Sequence, residues 1–116
     1  MKTKMVYAKN KRGTVVDNPL EKVIETKVCD YAKSKGMLAY KFTSPNRAAV
    51  PDRMFITASG GKVWFAEFKR LGKKPTPQQT REIQRMRDRD IKVFVIDNIE
   101  DGKKLIDDIS SKNANT

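Results

Sequence analysis

Two apolar runs joined by a glycine-containing turn decide the fold of this chain, and both lie in residues 51–69, PDRMFITASGGKVWFAEFK. The runs have the length and the aromatic and β-branched content of strands, and Ser59-Gly60-Gly61 between them favours a tight turn. We therefore predict a β-hairpin with strands over residues 53–58 and 62–69. Apolar side chains fall on both faces of these strands, which is typical of a sheet covered on both sides.

Two acids and a lysine mark one end of this hairpin. Asp52 opens the first strand, whereas Glu67 and Lys69 end the second and, two residues apart, point to the same face. With the turn centred near Gly60, the numbers of paired residues sum to about 120, so Asp52 lies opposite Lys69 or Phe68, one neighbour from Glu67. Two such carboxylates can hold a divalent cation, and the lysine can orient a water molecule or meet charge on a phosphate. The structural alternative is a cross-strand salt bridge between Asp52 and Lys69, with Glu67 as an ordinary acid.

Composition narrows the chemistry of such a site. The chain has 116 residues, with 25 Lys or Arg, 14 Asp or Glu and a formal net charge of +11. This balance predicts salt-sensitive binding to nucleic acid, unless the protein is basic without a specific partner. With no His and one Cys, the chain cannot form a Ser-His or Cys-His catalytic pair, an internal disulfide, or a His- or multi-Cys-ligated zinc site. A bound metal would have oxygen ligands, which suits Mg²⁺ or Mn²⁺.

The length of the chain suits one domain. We predict that domain over residues 18–110, between a basic arm over residues 1–17 and a polar, disordered tail over residues 111–116. The arm is expected to be flexible, and whether it touches DNA phosphates or is only a frayed terminus stays open. The sequence contains neither a transmembrane run nor the apolar stretch of a secretory signal, so we expect a cytoplasmic protein.

A helix is predicted before the hairpin. Asn18-Pro19-Leu20-Glu21 is typical of a helix start, with Asn as the cap, Pro at the first helical position and Glu completing a capping box. We expect this helix to continue to about Lys35 and to end at Gly36. On a helical wheel Glu21 falls inside the apolar arc and Glu25 at its edge, and an inward-facing carboxylate is costly without a partner. Glu21 is therefore a candidate site residue with Glu25 as its substitute, unless Glu21 is only a cap.

The remaining elements complete an α/β domain. They are a strand over residues 37–42, a helix from Thr76-Pro77 to about Asp90, a strand over residues 91–96 and a short helix from Asn98 or Glu100. The resulting order, αβββαβα, predicts a mixed four-stranded sheet with the hairpin at its centre and helices on both faces. Arg81, Arg85 and Arg89 repeat along one face of the second helix, where they either bind phosphates or form a solvated surface.

Several segments together resemble one nuclease family. Pro51-Asp52 with Glu67-Phe68-Lys69 is similar to the PD-(D/E)xK motif of restriction-type and resolvase-type nucleases. The surroundings resemble its VRR-NUC (virus-type replication-repair nuclease) branch, in the stand-alone form of phages and bacteria. The matching segments outside the motif are Glu21 with Glu25 and residues 40–45, 50–53, 60–63, 72–79 and 93–97. The resemblance covers about residues 19–100 and implies a restriction-endonuclease-like core, although Ala48-Ala49 stands where a glycine is expected.

The resemblance implies roles for the motif residues. Asp52 and Glu67 would bind Mg²⁺ or Mn²⁺ together with the backbone carbonyl of Phe68. Lys69 would position the attacking water or lower its pKa beside the metal.

Further roles follow for residues around the motif. Glu21, or Glu25 in its place, would reach the metal through water or bind a second ion. Gln79 would hold the water or the lysine, whereas without the resemblance it would be an exposed glutamine at a helix start. The residues expected to contact DNA are Lys41, Ser44, Arg47, Arg53, Lys73 and Lys74.

The resemblance also implies an activity. We expect a metal-dependent endonuclease of DNA repair and recombination that leaves a 5′-phosphate and a 3′-hydroxyl, without a small-molecule cofactor or a membrane partner. Stand-alone members resemble dimeric Holliday-junction resolvases, so a symmetric homodimer that cuts branched DNA is favoured, in the cytoplasm of a bacterium or of a viral host. A chain of this size favours recognition of DNA backbone and shape over sequence. The alternatives are a monomeric flap or fork nuclease and a basic DNA-binding module with structural acids.

Overall fold

A mixed four-stranded sheet with helices on both faces forms the centre of the molecule. The computed structural model describes residues 8–9, 15–16 and 19–114. The elements in chain order are β1 (Ala8–Lys9), β2 (Val15–Val16), α1 (Glu21–Ser34), β3 (Leu38–Lys41), β4 (Arg53–Ile56), β5 (Val63–Phe68), α2 (Pro77–Arg87), β6 (Lys92–Ile96) and α3 (Ile99–Ala114). From α1 onward this is the predicted αβββαβα order, which confirms the α/β fold class. None of the helices in the described ranges has the length and apolar character that crossing a membrane requires.

The strand order of the sheet is β3-β4-β5-β6. β4 pairs antiparallel with both β3 and β5, whereas β5 and β6 are parallel and are joined through α2. The predicted central hairpin is therefore confirmed as β4 and β5. β1 and β2 form a separate antiparallel pair within the predicted basic arm. The rest of that arm lies outside the described residues.

The register of the central hairpin differs slightly from the predicted one. Partners such as Arg53 and Ala66 have numbers that sum to 119, rather than about 120. The turn occupies residues 58–61, so its centre lies earlier than predicted. The pairing ends at Arg53 and Ala66; extended by one residue it would bring Asp52 level with Glu67, next to the predicted partner Phe68, whose backbone N–H donates to Asp52.

α1 begins later than predicted. Its N-cap is Leu20, whose side chain makes no capping hydrogen bond, while its carbonyl accepts the first two backbone hydrogen bonds, at 3.0 and 3.1 Å. Pro19 therefore precedes the cap, and Glu21 is the first helical residue rather than the third, so the predicted capping box is wrong. Asn18 lies outside the described residues. The predicted end of the helix is confirmed, since Gly36 follows the C-cap with φ of +83°, a conformation that favours glycine.

One face of the sheet packs against α1 and α3 and is called the α1–α3 face. At its centre Phe55 stacks on Trp64 with ring centroids 4.1 Å apart, and Trp64 is buried in the core as an apolar residue. The buried residues of this cluster are Ile24, Val28, Cys29, Ala32, Met37, Phe55, Trp64, Ala66, Phe68, Ile96 and Ile106. This face supplies most of the apolar burial that stabilises the domain.

Close contact between α1 and α3 depends on Gly102. A Cβ atom at Gly102 would lie 2.6 Å from Cγ2 of Val28 and 3.2 Å from Cγ2 of Ile96. Asn98, one of the two predicted starts, caps α3, since its Oδ1 accepts from the backbone N–H of Asp101 at 2.8 Å. α3 is longer than predicted, and residues 111–114 of the predicted disordered tail form its last turn, whereas residues 115 and 116 lie outside the described residues.

The opposite face, called the α2 face, is covered only in part. Phe65, Ile83 and Val93 are buried there between the sheet and α2. Leu38 and Tyr40, on the edge strand of the same face, remain about half-exposed, so the prediction of a sheet covered on both sides is wrong for this region. α2 ends at Arg87, three residues short of the predicted Asp90, and residues 88–90 form a turn that ends with Asp90 at φ of +64°.

Candidate active site

Asp52 lies at the start of β4, beside the end of β5. Its Oδ2 accepts a hydrogen bond from the backbone N–H of Phe68 at 2.8 Å. Its own carbonyl accepts from the N–H of Phe42 at 2.9 Å, which holds Asp52 between the two neighbouring strands. Asp52 does not form the cross-strand salt bridge with Lys69 that was the structural alternative.

Glu67 is buried on the α2 face and is 1% exposed. Its Oε2 accepts from Nε2 of Gln79 at 2.9 Å and lies 3.4 Å from Nζ of Lys69. Its Oε1 is buried and has no hydrogen-bond partner within the described part of the chain. A buried, unpaired carboxylate oxygen destabilises a fold, so its presence calls for a ligand.

Lys69 follows the last residue of β5. Its backbone N–H donates to the carbonyl of Ile96 at 3.0 Å, which fixes the chain beside β6. Its ammonium group contacts Glu67, as expected for residues two apart on a strand. The side chain is 15% exposed, so it is largely shielded while its charged end faces the acids.

Gln79 is oriented from both ends of its amide. Its Oε1 accepts from the backbone N–H of Thr76 at 2.9 Å, and its own N–H donates to Oγ1 of Thr76 at 3.1 Å, which completes a capping box for α2. Because Oε1 is held by Thr76, Nε2 points at Glu67. That Gln79 holds the water or the lysine stays a prediction; in the structure its amide contacts Glu67, one of the two candidate metal ligands.

The two acids of α1 have different surroundings. Oε2 of Glu25 lies 2.6 Å from Nε of Arg53, so this carboxylate is engaged in a partly buried ion pair. Burial raises the pKa of Glu21. The charge of Lys69 lowers the pKa of the same carboxyl, and the charge of Asp52 raises it. Glu21 is therefore close enough to Asp52 and Lys69 for their charges to act on it, and it has no hydrogen-bonded partner among the described residues.

Burial also raises the pKa of the two hairpin acids. For Asp52, loss of hydration outweighs the hydrogen bond from Phe68, which lowers the pKa. For Glu67, loss of hydration and the nearby charge of Asp52 raise the pKa to about 7, against the opposing effect of Lys69. Buried carboxylates with raised pKa, one of which also raises the pKa of the other, are typical of sites that bind a cation or transfer protons.

The oxygen-rich donor set fits a hard divalent ion. Glu67 supplies an unpaired buried oxygen, Asp52 has a second oxygen beside the one held by Phe68, and the Phe68 peptide is adjacent to both. Within residues 8–9, 15–16 and 19–114, no group of three His, Cys, Asp or Glu side chains is placed to hold a metal ion. A metal site here therefore needs the backbone carbonyl and water as further ligands.

The residues predicted to contact DNA fall into two groups. Lys41, Lys73 and Lys74 are exposed, and Ser44 is half-buried in the loop before β4. The two arginines are engaged in ion pairs, Arg53 with Glu25 at 2.6 Å and Arg47 with Glu82 at 3.0 Å. Their contact with DNA stays a prediction.

Sequence reasoning missed the roles of three residues around the site. Thr76 was predicted only as a helix start, but it also orients Gln79, which the Thr-Pro-x-Gln spacing of a capping box could have indicated. Glu82 binds Arg47 across the loop, and no sequence pattern identifies that contact. Asp97 accepts from the N–H of Gly72 at 3.2 Å and thereby holds the loop that carries Lys73 and Lys74.

No family model matches the chain, but known proteins are similar to it. "Putative nuclease p44" of Acyrthosiphon pisum secondary endosymbiont phage 1 is 42% identical over 77 residues, which cover 66% of this chain and 82% of that protein. A solved structure described as "VRR_NUC domain" superposes with a TM-score of 0.68 and 30% sequence identity, over 75% of this chain and 94% of that one.

A mixed sheet whose central hairpin carries Asp52, Glu67 and Lys69 at one end defines a nuclease of the PD-(D/E)xK type. The similarity of most of the chain to the phage protein and to the solved domain identifies the branch. This chain belongs to the VRR-NUC family and is a nuclease. Nucleases of this type generally depend on a divalent metal ion.

Proposed function

We propose that this protein is a Mg²⁺- or Mn²⁺-dependent DNA endonuclease with its active site at the Asp52 end of the β4–β5 hairpin. Asp52 and Glu67 would hold the ion together with the backbone carbonyl of Phe68 and water. The observation that carries this proposal is the buried Oε1 of Glu67, which has no hydrogen-bond partner in the described part of the chain. Oε2 is already held by Gln79 and Lys69, so Oε1 is the oxygen left for a cation.

The side chains around these acids suit hydrolysis of a phosphodiester. A divalent ion, when bound, polarises the phosphate and lowers the pKa of a water molecule. Lys69 would orient the attacking water and meet the negative charge that develops on the phosphate. Attack of water on phosphorus with departure of the 3′ oxygen leaves a 5′-phosphate and a 3′-hydroxyl.

Glu21 is the better candidate for an additional carboxylate at the site. The charges of both acids interact with Asp52, but Glu25 is engaged by Arg53 at 2.6 Å, whereas Glu21 has no hydrogen-bonded partner among the described residues. Glu21 would act through water or a second ion, and Gln79 would keep Glu67 in position.

The proposed substrate is branched DNA, cut by a symmetric homodimer as in Holliday-junction resolution. The resemblance to stand-alone VRR-NUC members suggests this substrate, and the net charge of +11 supports binding to a polyanion. Exposed Leu38 and Tyr40 on the edge strand of the α2 face supply apolar surface that a second copy would bury. The cytoplasmic setting predicted from the sequence stays a prediction.

The first experiment compares four-way junction, flap, single-stranded and linear duplex DNA as substrates. Each is incubated with Mg²⁺, with Mn²⁺ and with EDTA, beside the Lys69→Ala variant, and light scattering after gel filtration gives the oligomeric state. Symmetric, metal-dependent nicking of the junction by a dimer, absent in the variant, is the expected result. Cleavage by Lys69→Ala at the native rate would show that Lys69 has another role. Cleavage of flap DNA by a monomer would show that the substrate is a flap rather than a four-way junction.

A further inference from the structure

A polar cleft lies between α2 and the loop that precedes β4, beside the active site but outside it. Three residues of the loop, Arg47, Ala48 and Ala49, line it from one side, and Arg81, Glu82 and Arg85 of α2 line it from the other. The spacing of the α2 residues places them on one face of the helix. We call this region the arginine cleft.

One acid organises two of the arginines. Oε1 of Glu82 accepts from Nε of Arg47 at 3.0 Å and lies 3.6 Å from Nε of Arg85. The side chain of Glu82 is 14% exposed, whereas those of Arg47 and Arg85 are 51% and 56% exposed. Each guanidinium has five N–H donors, so the contact with Glu82 leaves donors of both arginines available to a ligand.

The charge of the cleft suits an anion. Three arginines and one glutamate leave an excess of two positive charges among the six named residues. Arg81 forms no hydrogen bond or ion pair with any residue that the structure describes, so its charge is not neutralised there. Ala48 and Ala49 carry only methyl groups, which leaves room for a phosphate-bearing backbone to approach the loop.

The position of the cleft relates it to the active site. Gln79, which binds Glu67, lies one helical turn before Glu82 on α2, or roughly 5 Å along the helix axis. Phosphates of one DNA strand follow each other at about 3.4 Å along the duplex axis. A cut strand that runs from Glu67 along α2 would therefore bring its next one or two phosphates to the cleft.

We propose that the arginine cleft is a binding site for backbone phosphates of the DNA strand that is cut, one or two nucleotides from the scissile bond. Glu82 holds Arg47 and Arg85 in place, and Arg81 adds a further positive charge. This inference rests on the proposed function, because it takes the strand to be one that Glu67 and Asp52 cleave. It assigns to α2 the role of aligning the strand in addition to holding Glu67.

The first test measures the salt dependence of DNA binding in a Glu67→Gln background, in which the strand is not cut. Anisotropy of labelled duplex and junction DNA gives the slope of log affinity against log salt concentration. We expect Arg81→Gln to reduce the magnitude of the slope by about 0.9, the value for one phosphate contact, and Arg81→Gln/Arg85→Gln by about 1.8. Lys104→Gln on α3, an exposed position with the same loss of charge, is the matched control.

The second test locates the contact. A single uncharged methylphosphonate is moved along the DNA strand on both sides of the cut position, and its cost in affinity is measured with Arg81→Gln and with Lys104→Gln. At the phosphate held in the cleft, the losses in binding free energy caused by the methylphosphonate and by Arg81→Gln should be non-additive. The losses caused by the methylphosphonate and by Lys104→Gln should be additive at every position. Arg81 has no described partner, so its replacement is expected to leave the fold intact, which thermal unfolding checks.

Two results would overturn the proposal: an equal change of slope for Arg81→Gln and Lys104→Gln, or additivity at every modified phosphate. The binding tests require no catalysis, which separates this proposal from the proposed function. If the protein cleaves DNA but the effects are additive at every phosphate, the proposed active site stands and the proposed phosphate site in the cleft is wrong. If the protein cleaves no substrate but the effects are non-additive at one phosphate, the phosphate site stands and the proposed cleavage activity is wrong.

Discussion

Strand β5 contributes to two faces of the sheet, and the faces differ in what they bury. Toward α1 and α3 it presents Trp64, Ala66 and Phe68, all within the large apolar cluster. Toward α2 it presents Phe65 and then Glu67, whose carboxylate is as buried as the core but has an unpaired oxygen. The first arrangement stabilises the fold by removing apolar surface from water, and the second costs stability in return for a reactive group.

This difference teaches that stability and chemistry are divided between the two sides of one strand. A substitution on the α1–α3 face should lower the stability of the fold and leave cleavage intact. A substitution of Glu67 on the α2 face should abolish cleavage and leave stability intact. Four experiments test this division between the faces, in order of decreasing expected effect.

Glu67→Gln has the largest expected effect. Cleavage should fall at least about 10³-fold, because the ion loses a charged ligand. The free energy of unfolding in EDTA should stay the same or rise at neutral pH, since the buried charge is removed while the hydrogen bond from Gln79 can persist. Single-turnover kinetics and urea unfolding measure the two quantities.

Glu100→Gln, in the exposed first turn of α3, is the matched control and should change neither quantity appreciably. If Glu67→Gln unfolds the protein as a core substitution does, then Glu67 is a structural acid and the division between the faces does not hold.

Titration of Glu67 should contribute to the pH dependence of the free energy of unfolding. Its pKa of about 7 in the folded protein lies above the ordinary value near 4.5, so the folded state holds a proton that the unfolded chain releases in this window. The corresponding stability is fully present below about pH 4.5 and is lost as pH rises through 7, a change on the order of 3 kcal/mol. Urea unfolding in EDTA from pH 4.5 to 8, for the native protein and Glu67→Gln, measures it.

The native protein should lose stability relative to Glu67→Gln as pH rises, and Mg²⁺ or Mn²⁺ should restore more of it at pH 8 than at pH 6, because only the carboxylate binds the ion. Parallel pH profiles for the two proteins would show that Glu67 titrates normally and is not buried as described.

Gly102→Ala tests the α1–α3 face. The new Cβ would lie 2.6 Å from Cγ2 of Val28, so α1 and α3 must move apart at a cost of about 2 kcal/mol. Thermal or urea unfolding should report this loss, while the rate of cleavage at a temperature well below the transition stays within about twofold of the native rate. Lys104→Ala, at an exposed position of the same helix, is expected to leave stability nearly unchanged. An equally large loss of activity in Gly102→Ala would indicate that the two faces are coupled.

Gln79→Ala probes the link between α2 and the acid. It removes the amide that holds Oε2 of Glu67. Replacing a residue that hydrogen-bonds to a metal ligand typically lowers activity about 10- to 100-fold, so the rate of cleavage should fall by about that factor. Gln84→Ala, which removes a similar hydrogen bond to the exposed Asp88 on the same helix, should leave cleavage unchanged. If both variants cut equally well, Gln79 only caps α2.

Local sequence patterns predicted most of the fold because they depend on neighbours along the chain. The Gly36 helix end, the Thr76-Pro77 helix start and the central hairpin all follow from short-range conformational preferences. The errors also have local causes. The four-residue turn shifted the register of Asp52, and Leu20 took the cap position that had been expected at Asn18.

The candidate site was predicted in part. The alternation of a strand places Glu67 and Lys69 together, and their contact at 3.4 Å agrees with it. The choice between Glu21 and Glu25 stayed open at that stage, because a helical wheel shows direction but not the neighbour. Arg53 on β4 pairs with Glu25, which only the packing of α1 against the sheet reveals.

The hairpin, the order of elements, the acids and lysine of the motif, and the excess of positive charge can therefore be read from the amino-acid sequence alone. Only the tertiary structure shows which oxygen of Glu67 remains unpaired, that Gln79 and Lys69 together hold the other, and that Glu82 brings Arg47 and Arg85 together at the cleft. The physical reason is the separation of the interacting residues along the chain. Turns and caps are set by adjacent residues, whereas burial and hydrogen bonding of a carboxylate depend on elements brought together only by folding.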